Sequence, residues 1–399
     1  VNSWCSATHA LWTPVVWGLA WWLWALMDES SRVLSRHQLA ELTTAVWVAI
    51  VLATSIAATV VARWREWEPL GRATLATLPA FILIALNAAA IAAGGTQQYF
   101  ASSGLGWLAW PVALLWHLRL LRAQPKWLDA SSLAPLHIVG YWFFVWLAAR
   151  ECQWQLGRLG DTWSAWQLLG WAIVPALSLW AMRSRALLQR WPLHDFRHAY
   201  LEVAAVPVAI YLLLWAWVSN AASSGDAAPL PYVPLLNPLE LAHGLVLAAV
   251  VLWWRALSNR AASAVSPSIA KMLLGVTGLA LLTGLVLRSC HHFADVPWNV
   301  DALYASRLTQ AALSIAWATC GVLAMVLGHG KRLRLLWIAG ASLLGVVVLK
   351  LFFVELADRG GLFRIVSFLG VGGLLLLVGY FAPVPPSKEE ALKSEGGAA

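Results

Sequence analysis

Residues 306–358 read SRLTQAALSIAWATCGVLAMVLGHGKRLRLLWIAGASLLGVVVLKLFFVELAD. Two apolar runs, 303–327 and 333–354, are each longer than the roughly 20 residues that a helix needs to cross a bilayer. Lys331, Arg332 and Arg334 join them in a short basic turn, so the pair reads as a membrane hairpin. Polar groups nevertheless recur inside it. Arg307, Gln310 and Ser314 follow i, i+3, i+7 spacing and form one stripe on a helix face, and Lys350 lies within the second run. A charge at membrane depth costs at least ~2.5–3.5 kcal/mol unless it is paired or wet. Such a stripe must face other helices or a water-filled cavity.

The composition extends the membrane assignment to the whole chain. Of 399 residues, 60% are hydrophobic and 12% charged, against about 45–50% apolar and about 25% charged in soluble domains. The 28 Trp residues suit membrane–water interfaces, where one edge of an indole is apolar and its N–H stays wet. The net charge of +8 sits in short turns between apolar runs and not on one polar domain, which argues against nucleic acid as a partner. Cys5, Cys152, Cys290 and Cys320 form no CxxC, so they read as free thiols, with a Cys152–Cys290 disulfide as an alternative. No P-loop, GxGxxG, HExxH or GxSxG occurs in a credible context.

Twelve apolar runs are counted, near 11–27, 41–62, 73–93, 103–118, 132–149, 163–182, 199–218, 236–254, 268–287, 303–327, 333–354 and 362–382. Pro111 and Pro135 interrupt the fourth and fifth, which are expected to be tilted, kinked or partly re-entrant. The turns after even-numbered spans, with the tail, hold eighteen of the 27 Lys and Arg residues, and the alternate side holds eight. By the positive-inside rule that alternation predicts an all-α, polytopic transmembrane bundle of about twelve spans with both ends cytoplasmic. The expected divisions are 1–235 (seven spans), 236–382 (five spans with the outer polar cluster) and a disordered tail, 383–399. The chain starts at Val1 with no signal peptide before the first run, and reads as part of something longer.

That topology brings many ionisable groups to the outer ends of spans eight to twelve. Glu240 opens span eight, Arg288 ends span nine, Arg307 opens span ten, and Arg364 and Ser367 open span twelve. Lys350 lies in the outer third of span eleven, with Asp358 just beyond it. The leading reading is an outer-leaflet cavity in which Arg288, Arg307, Gln310, Ser314, Lys350, Arg364 and Ser367 hold an anionic, lipid-linked envelope precursor for transfer or translocation. Asp358 and Glu240 would be its candidate acid/base groups, with Glu151 among the balancing charges. The other reading is a set of structural ion pairs in a non-catalytic scaffold. Asn237-Pro238-Leu239-Glu240 also reads as the N-cap to N3 positions of a capped helix. An ion-coupled transporter ranks third, because only Glu202 comes near mid-membrane. Adjacent His291 and His292 point apart on a helix, so no metal and no cofactor is expected. Membrane lipids are the expected partners.

The helix with Ser306, Arg307, Gln310, Ser314 and Trp317, the run Leu349-Lys350-Leu351-Phe352-Phe353 ending at Glu355 and Asp358, and the start Arg364-Ile365-Val366-Ser367-Phe368 together carry a resemblance. Residues 288–383 resemble the bacterial predicted membrane protein family catalogued as domain of unknown function 2339. The resemblance implies an integral membrane protein of Gram-negative-type bacteria, with longer members that carry a further N-terminal region. It implies no particular activity.

Overall fold

The computed structural model describes residues 3–93, 101–123, 130–160, 164–258, 267–351 and the isolated positions 372, 373 and 376. Every regular element among the described residues is helical. The helices are α1 (Ser3–Arg36), α2 (Thr43–Trp64), α3 (Glu68–Ala73), α4 (Thr77–Ala93), α5 (Gly106–Ala123), α6 (Ala130–Gly157) and α7 (Ala165–Ala181). After them come α8 (Arg185–Leu188), a π-helical turn (Ala199–Ala204) running into α9 (Ala205–Ala222), α10 (Pro238–Ser258) and α11 (Pro267–Ala294). The short α12 (Val300–Ala305), α13 (Arg307–Gly330) and α14 (Arg334–Lys350) complete the described chain.

Seven helical segments among the described residues are long and apolar enough to cross a membrane. They are Ala40–Trp64, Glu68–Ala92, Leu133–Gly157, Ala199–Ala222, Pro238–Leu257, Ser268–Ala294 and Arg307–Gly330. Ala165–Ala181 is a shorter apolar helix. Pro111 and Pro135 lie inside α5 and α6, which run on through them as continuous helices without re-entrant turns. Neighbouring helices can re-satisfy the one hydrogen bond that each proline removes.

Short polar residues mark several helix starts. Ser164, Asn299 and Ser306 each accept a backbone N–H three residues on, capping α7, α12 and α13. The Asn237 reading also holds: its side-chain oxygen accepts from Leu239 N at 2.9 Å, and Pro238 is the first residue of α10.

The chain falls into two compact units. The first comprises 1–216, 227–230 and 241–267. Its core gathers Val48, Val51, Leu78, Phe81, Trp110, Phe143 and Leu147 from α2, α4, α5 and α6. Within it α6 packs on α7 and on the π turn. Two carbonyls of that turn, Leu201 and Ala204, accept from the indoles of Trp253 and Trp142 at 3.1 and 2.9 Å.

The second unit comprises 217–226, 231–240 and 268 onward. Its tightest pairing is α13 against α14. The backbones meet at Gly321 and Gly340, where a Cβ on Gly340 would lie 2.6 Å from the Gly321 carbonyl oxygen. Small residues at a crossing let two membrane helices gain packing contacts that lipid does not offer.

Candidate functional site

In the second unit, the end of α9, the following loop, the first turn of α10 and the last turns of α11 meet around Arg288. Ala280, Gly284 and Arg288 are spaced i, i+4, i+8 on α11 and form one stripe. Asn220 of α9 lies on it. Its amide donates to the Ala280 carbonyl at 2.8 Å, and a Cβ on Gly284 would meet its side-chain oxygen at 2.0 Å. The Arg288 guanidinium donates from Nη1 to the Asn220 carbonyl at 3.3 Å and side-chain oxygen at 3.2 Å. Its Nε donates to Glu240 Oε1 at 3.2 Å. Arg288 is 0% exposed and the Glu240 side chain 7%, so this ion pair is dry. Nη2 has no hydrogen-bond partner among the described residues.

The carboxylate of Glu240 has two further donors. Tyr232 donates to Oε1 at 2.6 Å and Leu235 N to Oε2 at 2.6 Å. Burial pushes the Tyr232 phenol above its usual range; its hydrogen bond to Glu240 and that carboxylate's charge push the same way, while Ser289 and Arg288 partly oppose them. The loop is wrapped tightly over the arginine stem. Gly225 has φ +77°, and a Cβ there would fall 2.7 Å from Arg288 Cδ, so glycine answers both backbone and space. Asn237 ties the loop down by donating to the Gly225 carbonyl at 2.7 Å.

The adjacent histidines close the same end. His291 donates from Nδ1 to the Val296 carbonyl at 2.7 Å, and His292 from Nε2 to the Ser224 carbonyl at 2.9 Å. His292 also stacks on Tyr232, with ring centroids 4.3 Å apart and planes 11° from parallel. Each carbonyl fixes which ring nitrogen carries a proton. No group of three or more potential metal ligands occurs among the described residues. Cys152, Cys290 and Cys320 are free thiols, so the alternative Cys152–Cys290 disulfide is absent.

A second polar contact lies along α13 and α14. Lys350 Nζ donates to the Gln310 carbonyl at 2.8 Å and to Ser314 Oγ at 2.7 Å. Ser314 in turn donates to the Gln310 carbonyl at 3.0 Å, and the Gln310 amide donates to the Tyr304 carbonyl at 3.0 Å. The stripe expected from i, i+3, i+7 spacing therefore divides. Gln310 and Ser314 meet Lys350, whereas Arg307 is exposed and makes no side-chain hydrogen bond among the described residues.

The sequence-derived candidates thus fall into separate groups. Arg288 and Glu240 form one cluster, and Lys350, Gln310 and Ser314 another. Glu151 belongs to the first unit, where it accepts from Ser102 N and Oγ at 3.0 and 2.6 Å and from Gln155 at 2.7 Å. Asp358, Arg364 and Ser367 lie outside the described residues. Asn220, Gly225 and Tyr232 were not anticipated. An asparagine within an apolar helix and a glycine in the polar loop after it were the available signals, but neither names its partner.

The model of the family described as predicted membrane protein (DUF2339) matches residues 5–385. The chain belongs to this family. The match to the DUF2339 model extends well beyond the C-terminal third that carries the resemblance in sequence, into the helices of the first unit. No curated protein and no solved structure matches the chain.

Proposed function

We propose that this DUF2339 protein is a multi-pass protein of a bacterial inner membrane, crossing about twelve times with both ends cytoplasmic. In this reading the polar cluster around Arg288 is a brace. It holds the outer ends of helices together in a non-catalytic scaffold or partner-binding subunit. The observation that carries the reading is the fully buried Arg288, bonded to Glu240 and Asn220. A guanidinium so enclosed offers few donors to a head group arriving from outside. Glu240, which accepts three donors, is poorly placed to exchange protons with a substrate.

Arg307, exposed and without a side-chain hydrogen bond among the described residues, favours a second reading, in which an anionic, lipid-linked envelope precursor is held for transfer or translocation. That reading keeps Arg307 and Lys350 as the head-group contacts and leaves Glu240 to the brace. One experiment separates the two: native mass spectrometry of the purified protein and Arg307→Ala, combined with thermal melts of both. The brace reading expects unchanged co-purified lipid and an unchanged melting temperature in Arg307→Ala. Selective loss of one phosphorylated or glycan-linked lipid, at unchanged melting temperature, would replace it with the second reading.

A further inference from the structure

A groove of about 600 Å³ runs along α1, α2 and α4 of the first unit, within the volume range of small-molecule sites. It lies at the end of these helices that the basic-residue count assigns to the outer face. The apolar part of its wall includes Leu83 and Leu86 of α4, which are exposed. Its polar part consists of Asp28 and Ser31 of α1, Asn87 of α4 and the indole edge of Trp47. The floor is fixed: Trp47 Nε1 donates to the Met27 carbonyl and to Ser31 Oγ, both at 3.2 Å, pinning α2 to α1.

The groups around that floor have capacity to spare. Asp28 gives Oδ2 to Arg32, one turn along α1, and Oδ1 has no partner among the described residues. The Asn87 amide is exposed and makes no hydrogen bond there, although it offers two donors and an acceptor. Trp24, 61% exposed, borders the groove and ends a ladder of edge-on indoles, Trp17, Trp21 and Trp24, spaced i, i+4, i+7 along α1. An indole face beside a carboxylate and a carboxamide matches a sugar ring. The C–H face of the ring stacks on the indole, and its hydroxyls donate to the carboxylate and bond the amide both ways. The leucines beyond offer an apolar track for a hydrocarbon chain. An acidic wall with no unpaired cation among the described residues suits a neutral head better than a phosphate.

We propose that this groove binds a glycosylated lipid, with its sugar on Trp24, Asp28 and Asn87 and its chain along Leu83 and Leu86. This site shares no residue with the Arg288 brace and does not include Arg307. The test is native mass spectrometry of the intact protein with two probes of equal chain length, an alkyl glucoside and an alkyl phosphocholine, both below their micellar concentrations. The wild type is expected to retain one glucoside with at least tenfold preference. Asn87→Leu and Asp28→Asn are each expected to weaken it about tenfold, corresponding to about 1.4 kcal/mol. Leu86→Trp, which narrows the apolar track from an exposed position, is expected to do the same. Thermal melts accompany each variant, and Arg307→Ala is expected to retain the glucoside. Equal retention of both probes, or glucoside retention unaffected in the three well-folded groove variants, would overturn the proposal and leave the groove to bulk lipid.

Discussion

Arg288 shows how one buried charge can organise its neighbours. Taking a guanidinium out of water is costly, and one counter-charge rarely repays the cost without further hydrogen bonds. Here Glu240, two oxygens of Asn220 and the close-fitting Gly225 loop surround it. Removing one member of such a pair typically costs about 3–5 kcal/mol, because the other is left as an uncompensated buried charge. Glu240→Gln should therefore lower the melting temperature sharply, and Glu240→Gln with Arg288→Met should recover part of the loss. Additive losses in this double-mutant cycle would show that the two side chains are not coupled. Tyr232 supplies a pH test. Its raised pKa means that its contribution to stability is fully present below the ordinary tyrosine value near 10 and is lost as pH rises through the higher folded value. Melting temperatures measured from pH 9 upward should thus fall more steeply for the wild type than for Tyr232→Phe. At neutral pH, Tyr232→Phe should itself cost about 1–3 kcal/mol by leaving Glu240 one donor short.

Among the elements, the α13–α14 hairpin depends on how closely its two backbones approach. A Cβ on Gly340 would meet not only the Gly321 carbonyl but also Met325 N at 2.9 Å, and backbone atoms cannot step aside as a flexible side chain can. Gly340→Ala should force the helices apart at a cost of about 1–3 kcal/mol. It should also draw Lys350 away from Gln310 and Ser314. Gly345, with nothing within 4 Å of its Cβ position, is the matched control, and Gly345→Ala should melt with the wild type. Equal melting of the two variants would show that the close crossing does not contribute to stability. The hairpin also shows what spacing could convey. It placed Arg307, Gln310 and Ser314 on one face, but it could not tell that two of them meet Lys350 while Arg307 stays exposed, because that depends on the rotation of α13 against α14.

For the molecule as a whole, the arrangement of spans is the most direct thing to test. The basic-residue alternation places the loops around Ser103 and Ser224 outside and the turns around Arg185 and Lys331 inside. In a background without native cysteines, Ser103→Cys and Ser224→Cys should react with a membrane-impermeant maleimide in cells whose outer membrane has been made permeable. Arg185→Cys and Lys331→Cys should react only after lysis. Labelling of all four from one side would rule out the proposed twelve-span topology. The same sidedness bears on the groove beside Trp24 and on the Arg288 brace, which the charge count assigns to the outer face in their respective units.

Several features of this protein were fixed by local sequence alone: its helical class, its membrane character, the start of α10 at Asn237-Pro238 and its family. Each depends on a run of apolar residues, a cap or a motif that a few neighbouring positions define. The partners of the polar groups were decided only by tertiary structure. Arg288 meets Glu240 across 48 positions and Asn220 across 68. Lys350 meets Ser314 across 36. The energetic cost of a charge in lipid says that it must find a partner, but not which one. The choice belongs to the packing of helices, to small residues such as Gly284 and Gly340 that let other groups approach, and to the loop that closes over the arginine.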